Sequence, residues 1–95
     1  MKNTRLSRRA ERDLIAILRY SSRNFGLKHA SDYILELRRV VRLIGENPGA
    51  TPFYRVEKNM RRKIYKAHCI YYSESPTEIV IIRILDARRD TRKHL

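Results

Sequence analysis

Arg83, Asp86, Arg88, Arg89 and Asp90 gather at the end of an apolar run, Ile79-Val80-Ile81-Ile82-Arg83-Ile84-Leu85. Charges held this close to a rigid element are positioned with little entropy loss, and Asp90 can orient a guanidinium through a bidentate pair. That chemistry grips a partner and demands no turnover. A second basic group, Arg61, Arg62, Lys63 and Lys66, surrounds a strand-like stretch, and Arg83 is expected on the neighbouring strand. Alternation places Arg61 and Lys63 on one face and Arg62 and Lys66 on the other. Such cations can hold RNA, stabilise a phosphorane-like transition state or receive an acidic peptide. The plainer alternative is an edge strand whose charges prevent aggregation.

Equipment for catalysis is sparse. His29, His68 and His94 fall at a helix start, in a strand and near the end of the chain, without metal-ligand spacing, so neither a metal nor a cofactor is expected. The glycines, Gly26, Gly45 and Gly49, are isolated and form no phosphate-binding loop. Glu11 and Asp13 open a helix, where carboxylates favour the macrodipole. Cys69 is the single cysteine and lies in an apolar strand, which points to a buried structural thiol.

The elements that position these groups follow from periodicity. Residues 2–6 suit an edge strand, and Ser7 suits a helix N-cap. Ala10, Leu14, Ile17, Leu18 and Ser21 recur at helical spacing up to Gly26, which ends the helix. Ala30, Tyr33, Ile34, Leu37, Val41 and Ile44 mark a second helix, stopped at Asn47 by Pro48. Two helices joined by so short a turn lie antiparallel and need a third surface to cover their apolar faces. Residues 53–56 are ambiguous. Strands are expected over 61–65, 68–73 and 78–85, with turns at Lys66-Ala67 and at residues 74–77. The expected fold is α+β: an N-terminal strand, an antiparallel helical hairpin, and a three-stranded antiparallel meander forming one sheet packed on the helices.

The 95 residues suit one domain spanning 1–95. Lys and Arg number 22 against 10 acids, a formal net charge of +12, which draws polyanions: nucleic acid, membrane surfaces or an acidic protein. No run approaches the roughly 18 apolar residues of a membrane span, and the N-terminus lacks a secretory pattern, so a cytoplasmic protein is expected.

Leu6-Ser7 before the hairpin, Phe25-Gly26-Leu27, Leu43-Ile44-Gly45-Glu46-Asn47-Pro48, His68-Cys69-Ile70-Tyr71-Tyr72 and the stretch from Ile79 to Asp90 together resemble the ParE toxins of the RelE/ParE superfamily. The resemblance spans Leu6 to Asp90. It implies a toxin of a type II toxin–antitoxin system that poisons DNA gyrase without catalysis of its own and is neutralised by a ParD-type antitoxin. It also implies that the C-terminal segment, here Arg83, Asp86, Arg88, Arg89 and Asp90, matters for the gyrase contact. Asp86 stands where ParE-like sequences often carry His, and Ala67 where they often carry Gly. The hairpin edges and the cationic strand suggest a groove for an acidic amphipathic antitoxin segment, formed by Tyr33, Leu37, Arg38, Arg61, Arg62, Lys63 and Tyr65. RelE-like relatives share the fold but cleave mRNA on the ribosome. That alternative would use Lys63, Lys66, Arg83 and His94, although no Tyr follows Tyr72. A simple nucleic-acid-binding module lacks a recognition-helix motif here.

Overall fold

The computed structural model describes residues 2–88 and 95. Its elements run β1 (Asn3–Leu6), α1 (Arg8–Phe25), α2 (Leu27–Glu46), β2 (Phe53–Arg55), β3 (Met60–Tyr65), β4 (His68–Glu74) and β5 (Glu78–Asp86). The α+β class, the N-terminal edge strand, the hairpin and the meander are as expected. β2, a three-residue strand, resolves the ambiguity at residues 53–56 and adds a fifth member to the sheet.

Sheet order is β1-β5-β4-β3-β2. β1 runs parallel to β5, with Leu6 opposite Ile81, whereas the other neighbours are antiparallel. β4 therefore separates β3 from β5. Arg83 is not on the strand beside the Arg61–Lys63 cluster, because the central meander strand intervenes.

Local chemistry fixes the hairpin. The Ser7 hydroxyl accepts the Ala10 N–H at 3.0 Å and donates to the Ile82 carbonyl at 2.7 Å, so one side chain starts α1 and ties it to β5. Gly26, at φ +91°, makes the break between the helices where a side chain would be strained. Its ψ of 156° lies outside the left-handed helical basin, so the break is sharper than a simple left-handed cap.

The principal core lies between hairpin and sheet: Ala10, Leu14 and Ile17 of α1, and Leu37, Val40, Val41 and Ile44 of α2. These meet Ile70, Tyr72, Ile79, Ile81 and Ile84. The sheet's other side carries a smaller apolar cluster of Met60, Cys69, Tyr71 and Leu85, flanked by Tyr54, Ile82 and Leu95. That far side is thus largely greasy rather than a cationic groove. Cys69 is buried there as a free thiol.

Candidate functional site

β5 is where the two core layers meet the charged end of the chain. Its first half is paired on both sides, by β1 and by β4. At Ile82 the register slips: Tyr72 faces Ile81, whereas Tyr71 faces Arg83. Beyond this bulge β1 has ended, and α1 seals the open edge instead. Asp13 accepts the Ile84 N–H at 2.9 Å and holds the Arg83 guanidinium through two further contacts of 2.9 Å. Both side chains are almost wholly buried, 12% and 13% exposed for Arg83 and Asp13. Hydrogen bonding to Asp13 raises the Arg83 pKa, so this charge is permanent and consumed internally.

A cleft of about 1010 Å³ opens between the α1–α2 turn and the end of β5. Tyr20 and Phe25 of α1, His29 and Tyr33 of α2, and His68 of β4 give it an aromatic floor. The Tyr33 hydroxyl lies 2.7 Å from His68 Nδ1, and the rings are 5.4 Å apart. Burial pushes the Tyr33 pKa up and the His68 pKa down, with Asp86 opposing the latter. Tyr65 donates to Glu36 at 2.7 Å, and Lys66 reaches the same carboxylate oxygen at 3.1 Å. These bonds, that of Tyr65 first, hold the Glu36 carboxyl below its ordinary range. Lys66 adopts φ +52° in the β3–β4 turn and leans towards α2, so it does not share a face with Arg62 as alternation suggested.

At the cleft mouth Asp86 accepts the Arg88 N–H at 2.8 Å and both sides of its guanidinium fork at 3.3 Å. These bonds depress the Asp86 pKa and raise that of Arg88. The Arg88 side chain is nevertheless 87% exposed, so its orientation is set while its outer surface remains open. Arg89, Asp90 and His94 lie outside the described residues.

The expected groove residues do not form one surface. Tyr33 lines the cleft and Tyr65 borders it through Glu36. Leu37 is wholly buried in the core and lines no groove, because its place on the apolar stripe points it straight at the sheet. Arg38 belongs to a separate small cleft of about 330 Å³ with Lys2, Val41, Arg42 and Gly45. On β3 the expected alternation holds for its own residues. Arg61 pairs opposite Tyr72 and Lys63 opposite Ile70, on the helix side, while Arg62 is opposite Tyr71 on the other. Arg61 stacks 3.8 Å from the Phe53 ring and donates to the Thr51 carbonyl; Arg62 lies 4.6 Å from the Tyr54 ring. Lys63 is exposed.

Sequence reasoning missed Asp13, Glu36 and the Tyr33–His68 pair. Asp13 follows Ala10 by three residues and precedes Ile17 by four, so it borders the buried stripe, where a carboxylate needs a partner. That signal was available. Among the described residues no His, Cys, Asp and Glu cluster could hold a metal, and no helix is long and apolar enough to cross a membrane.

A family model described as the ParE toxin of the type II toxin–antitoxin system parDE matches residues 4–91. The chain is 36% identical over 96 residues to Toxin ParE1 of Caulobacter vibrioides, a match covering 100% of this chain and 99% of that protein. Its fold is similar to that of a solved chain from the chromosomal ParDE TA system of P. aeruginosa. That comparison gives a TM-score of 0.82 at 18% identity, over 90% of this chain and 96% of the other.

Proposed function

The chain belongs to the ParE family of toxins of type II toxin–antitoxin systems, and on that premise we propose that it arrests growth by binding DNA gyrase. A cognate ParD-type antitoxin neutralises it. The observation carrying this reading is the Asp86–Arg88 pair, a pre-oriented and exposed guanidinium at the mouth of an aromatic cleft. An amphipathic antitoxin segment seated on Tyr20, Phe25 and Tyr33 would cover that guanidinium. Its carboxylates would meet Arg88 and Lys66 at the rim, so neutralisation and target contact would compete for one surface.

The cleft's titratable groups argue for binding rather than catalysis. A general acid or base works best with a pKa near the ambient pH. Asp86 and Glu36 are pulled down by their partners, and Lys66 and Arg88 are pulled up. Nδ1 of His68 is occupied by Tyr33. The residues of the nuclease alternative are dispersed: Lys66 is paired with Glu36 and Arg83 with Asp13.

The test is a supercoiling assay with purified gyrase beside cleavage mapping on translated messages. Inhibition of supercoiling, relieved by the cognate antitoxin, without codon-periodic cuts is the expected result. Cleavage that disappears on changing Lys63 or Lys66 would overturn it in favour of a ribosome-dependent nuclease.

A further inference from the structure

Arg8, Arg12, Ile15, Arg19 and Arg23 are exposed on α1. At 3.6 residues per turn they fall within an arc of about 80°, directly opposite the buried stripe of Ala10, Leu14, Ile17 and Ser21. The four guanidiniums rise along the helix over about 22 Å. We propose that this face binds the phosphate backbone of duplex DNA directly and without sequence preference.

Three observations support it. The stripe is unneutralised: among the described residues none of the four arginines has a carboxylate partner. Asp13, Asp32, Glu36, Glu74, Glu78 and Asp86 are committed to other cations, and Glu11, which borders the arc in the first turn of α1, forms no ion pair with Arg8 or Arg12. Second, Arg8 and Arg12 occupy the N-terminal turns of α1, where a cation opposes the macrodipole. Helix stability alone therefore does not account for them, whereas a phosphate would be attracted by the helix end and the arginines together. Third, the surface has the wrong composition for a protein partner. Interfaces of that kind have an apolar, often aromatic centre, and Ile15 is the one apolar residue in the arc. A straight row of forked donors, each suited to a phosphate, fits a regularly charged rod. The sequence carries no recognition-helix motif that would seat these arginines against base edges, so they are assigned to the phosphates, hence the lack of sequence preference. This surface lies on the opposite side of α1 from its buried face, and the proposal does not depend on the gyrase reading.

The experiment is fluorescence anisotropy of the whole protein with a labelled 20-base-pair duplex of arbitrary sequence, repeated across a salt series. Replacing Arg8, Arg12, Arg19 and Arg23 together by Gln keeps helix propensity while removing four charges. A control changes Lys28, Arg55, Lys58 and Lys63 to Gln, which alters net charge equally. With four phosphate contacts, the stripe variant should reduce the slope of log affinity against log salt by about 3.6 and weaken binding at least about tenfold in 0.1 M salt. The control should lose far less, and the Arg→Lys version of the stripe should keep most of the affinity. Equal losses in the stripe and control variants would mean that only net charge is being sensed, and would overturn the proposal. So would an unchanged stripe variant. A stripe variant that loses binding to poly-glutamate but retains the duplex would reassign the face to an acidic protein, again against the proposal.

Discussion

The two halves of β5 are built differently. From Glu78 to Ile81 every strand edge is met by another strand, β1 on one side and β4 on the other. From Ile82 to Asp86 only β4 continues, and helix side chains replace the missing strand: Ser7 on the Ile82 carbonyl and Asp13 on the Ile84 N–H. In the first half, main-chain bonds to two neighbouring strands satisfy the backbone, and Ile79 and Ile81 are fixed by the core rather than by any polar contact. In the second half, specific side chains satisfy the backbone, and they also determine where charge leaves the sheet. Arg83 and Arg88 show the difference. Both form an ion pair with an aspartate, yet one is buried against a helix and the other stands 87% exposed.

The largest effect is expected at Asp13. Its truncation takes the Asp13 carboxylate away from the buried Arg83 guanidinium and leaves the Ile84 N–H without its acceptor, a defect worth about 3 kcal/mol by the usual cost of breaking a buried pair. Asp13→Ala should lower the urea midpoint accordingly. Asp13→Leu combined with Arg83→Met should recover much of the loss, because an apolar pair of similar volume has no charge to desolvate. If the double variant were as unstable as the single, the Ile84 N–H rather than the ion pair would be the important bond.

The first half is probed at Gly45. A Cβ there would sit 2.5 Å from the Thr4 hydroxyl oxygen, so an alanine would force the Thr4 side chain to turn or α2 to move away from β1. Gly45→Ala should cost about 1–3 kcal/mol through overpacking, measured by thermal or urea unfolding. Adding Thr4→Ala should relieve part of it. A wholly additive pair would mean that the clash is absorbed elsewhere.

Much of this architecture was readable in the residues, and the gaps have physical causes. Helix boundaries at Ser7, Gly26 and Asn47 follow from capping, positive φ and the residue before proline, all local effects. β2 was undecidable because three residues carry too little pattern. Parallel pairing of β1 with β5 spans more than seventy residues of sequence, and no local signal encodes it. Leu37 was assigned to a groove because an apolar stripe shows which residues share a face but not which of them the sheet covers. Arg83 was legible as a charge, but its partner lies on α1. The Asp86–Arg88 pair has no counterpart in the expectation, whose pairing of an arginine with Asp90 lies outside the described residues.

A smaller effect is expected from His68, which lies opposite Asp86 in the β4–β5 ladder. Burial lowers its folded-state pKa below the ordinary value near 6.5. Between those two values the unfolded chain binds more protons than the folded one, so stability falls as pH drops below about 6.5. The unfolding midpoint should therefore be lower at pH 5.5 than at pH 7.5. His68→Gln should flatten that difference, since the carboxylates Glu36 and Asp86 are held below their ordinary range and titrate at lower pH. A slope that survived the substitution would assign the effect to another group.

The smallest structural effect belongs to Arg88, and there the comparison between the two halves of β5 becomes functional. Asp86 engages its inner edge, whereas nothing in the core depends on its outer surface, so an exposed pair of this kind contributes little to folding. Changing Arg88 and Arg89 together to Ala should leave the unfolding midpoint nearly unchanged and weaken antitoxin binding only in part, since Tyr20, Phe25, Tyr33 and Lys66 remain, while abolishing growth arrest and gyrase inhibition. Asp86→Ala provides the intermediate case: the guanidinium remains but loses its orientation, so toxicity should fall without vanishing. If the Arg88/Arg89 variant stayed fully toxic with an unaltered midpoint, the exposed end of β5 would not be the determinant. Attention would then move to the Arg38–Arg42 face of α2.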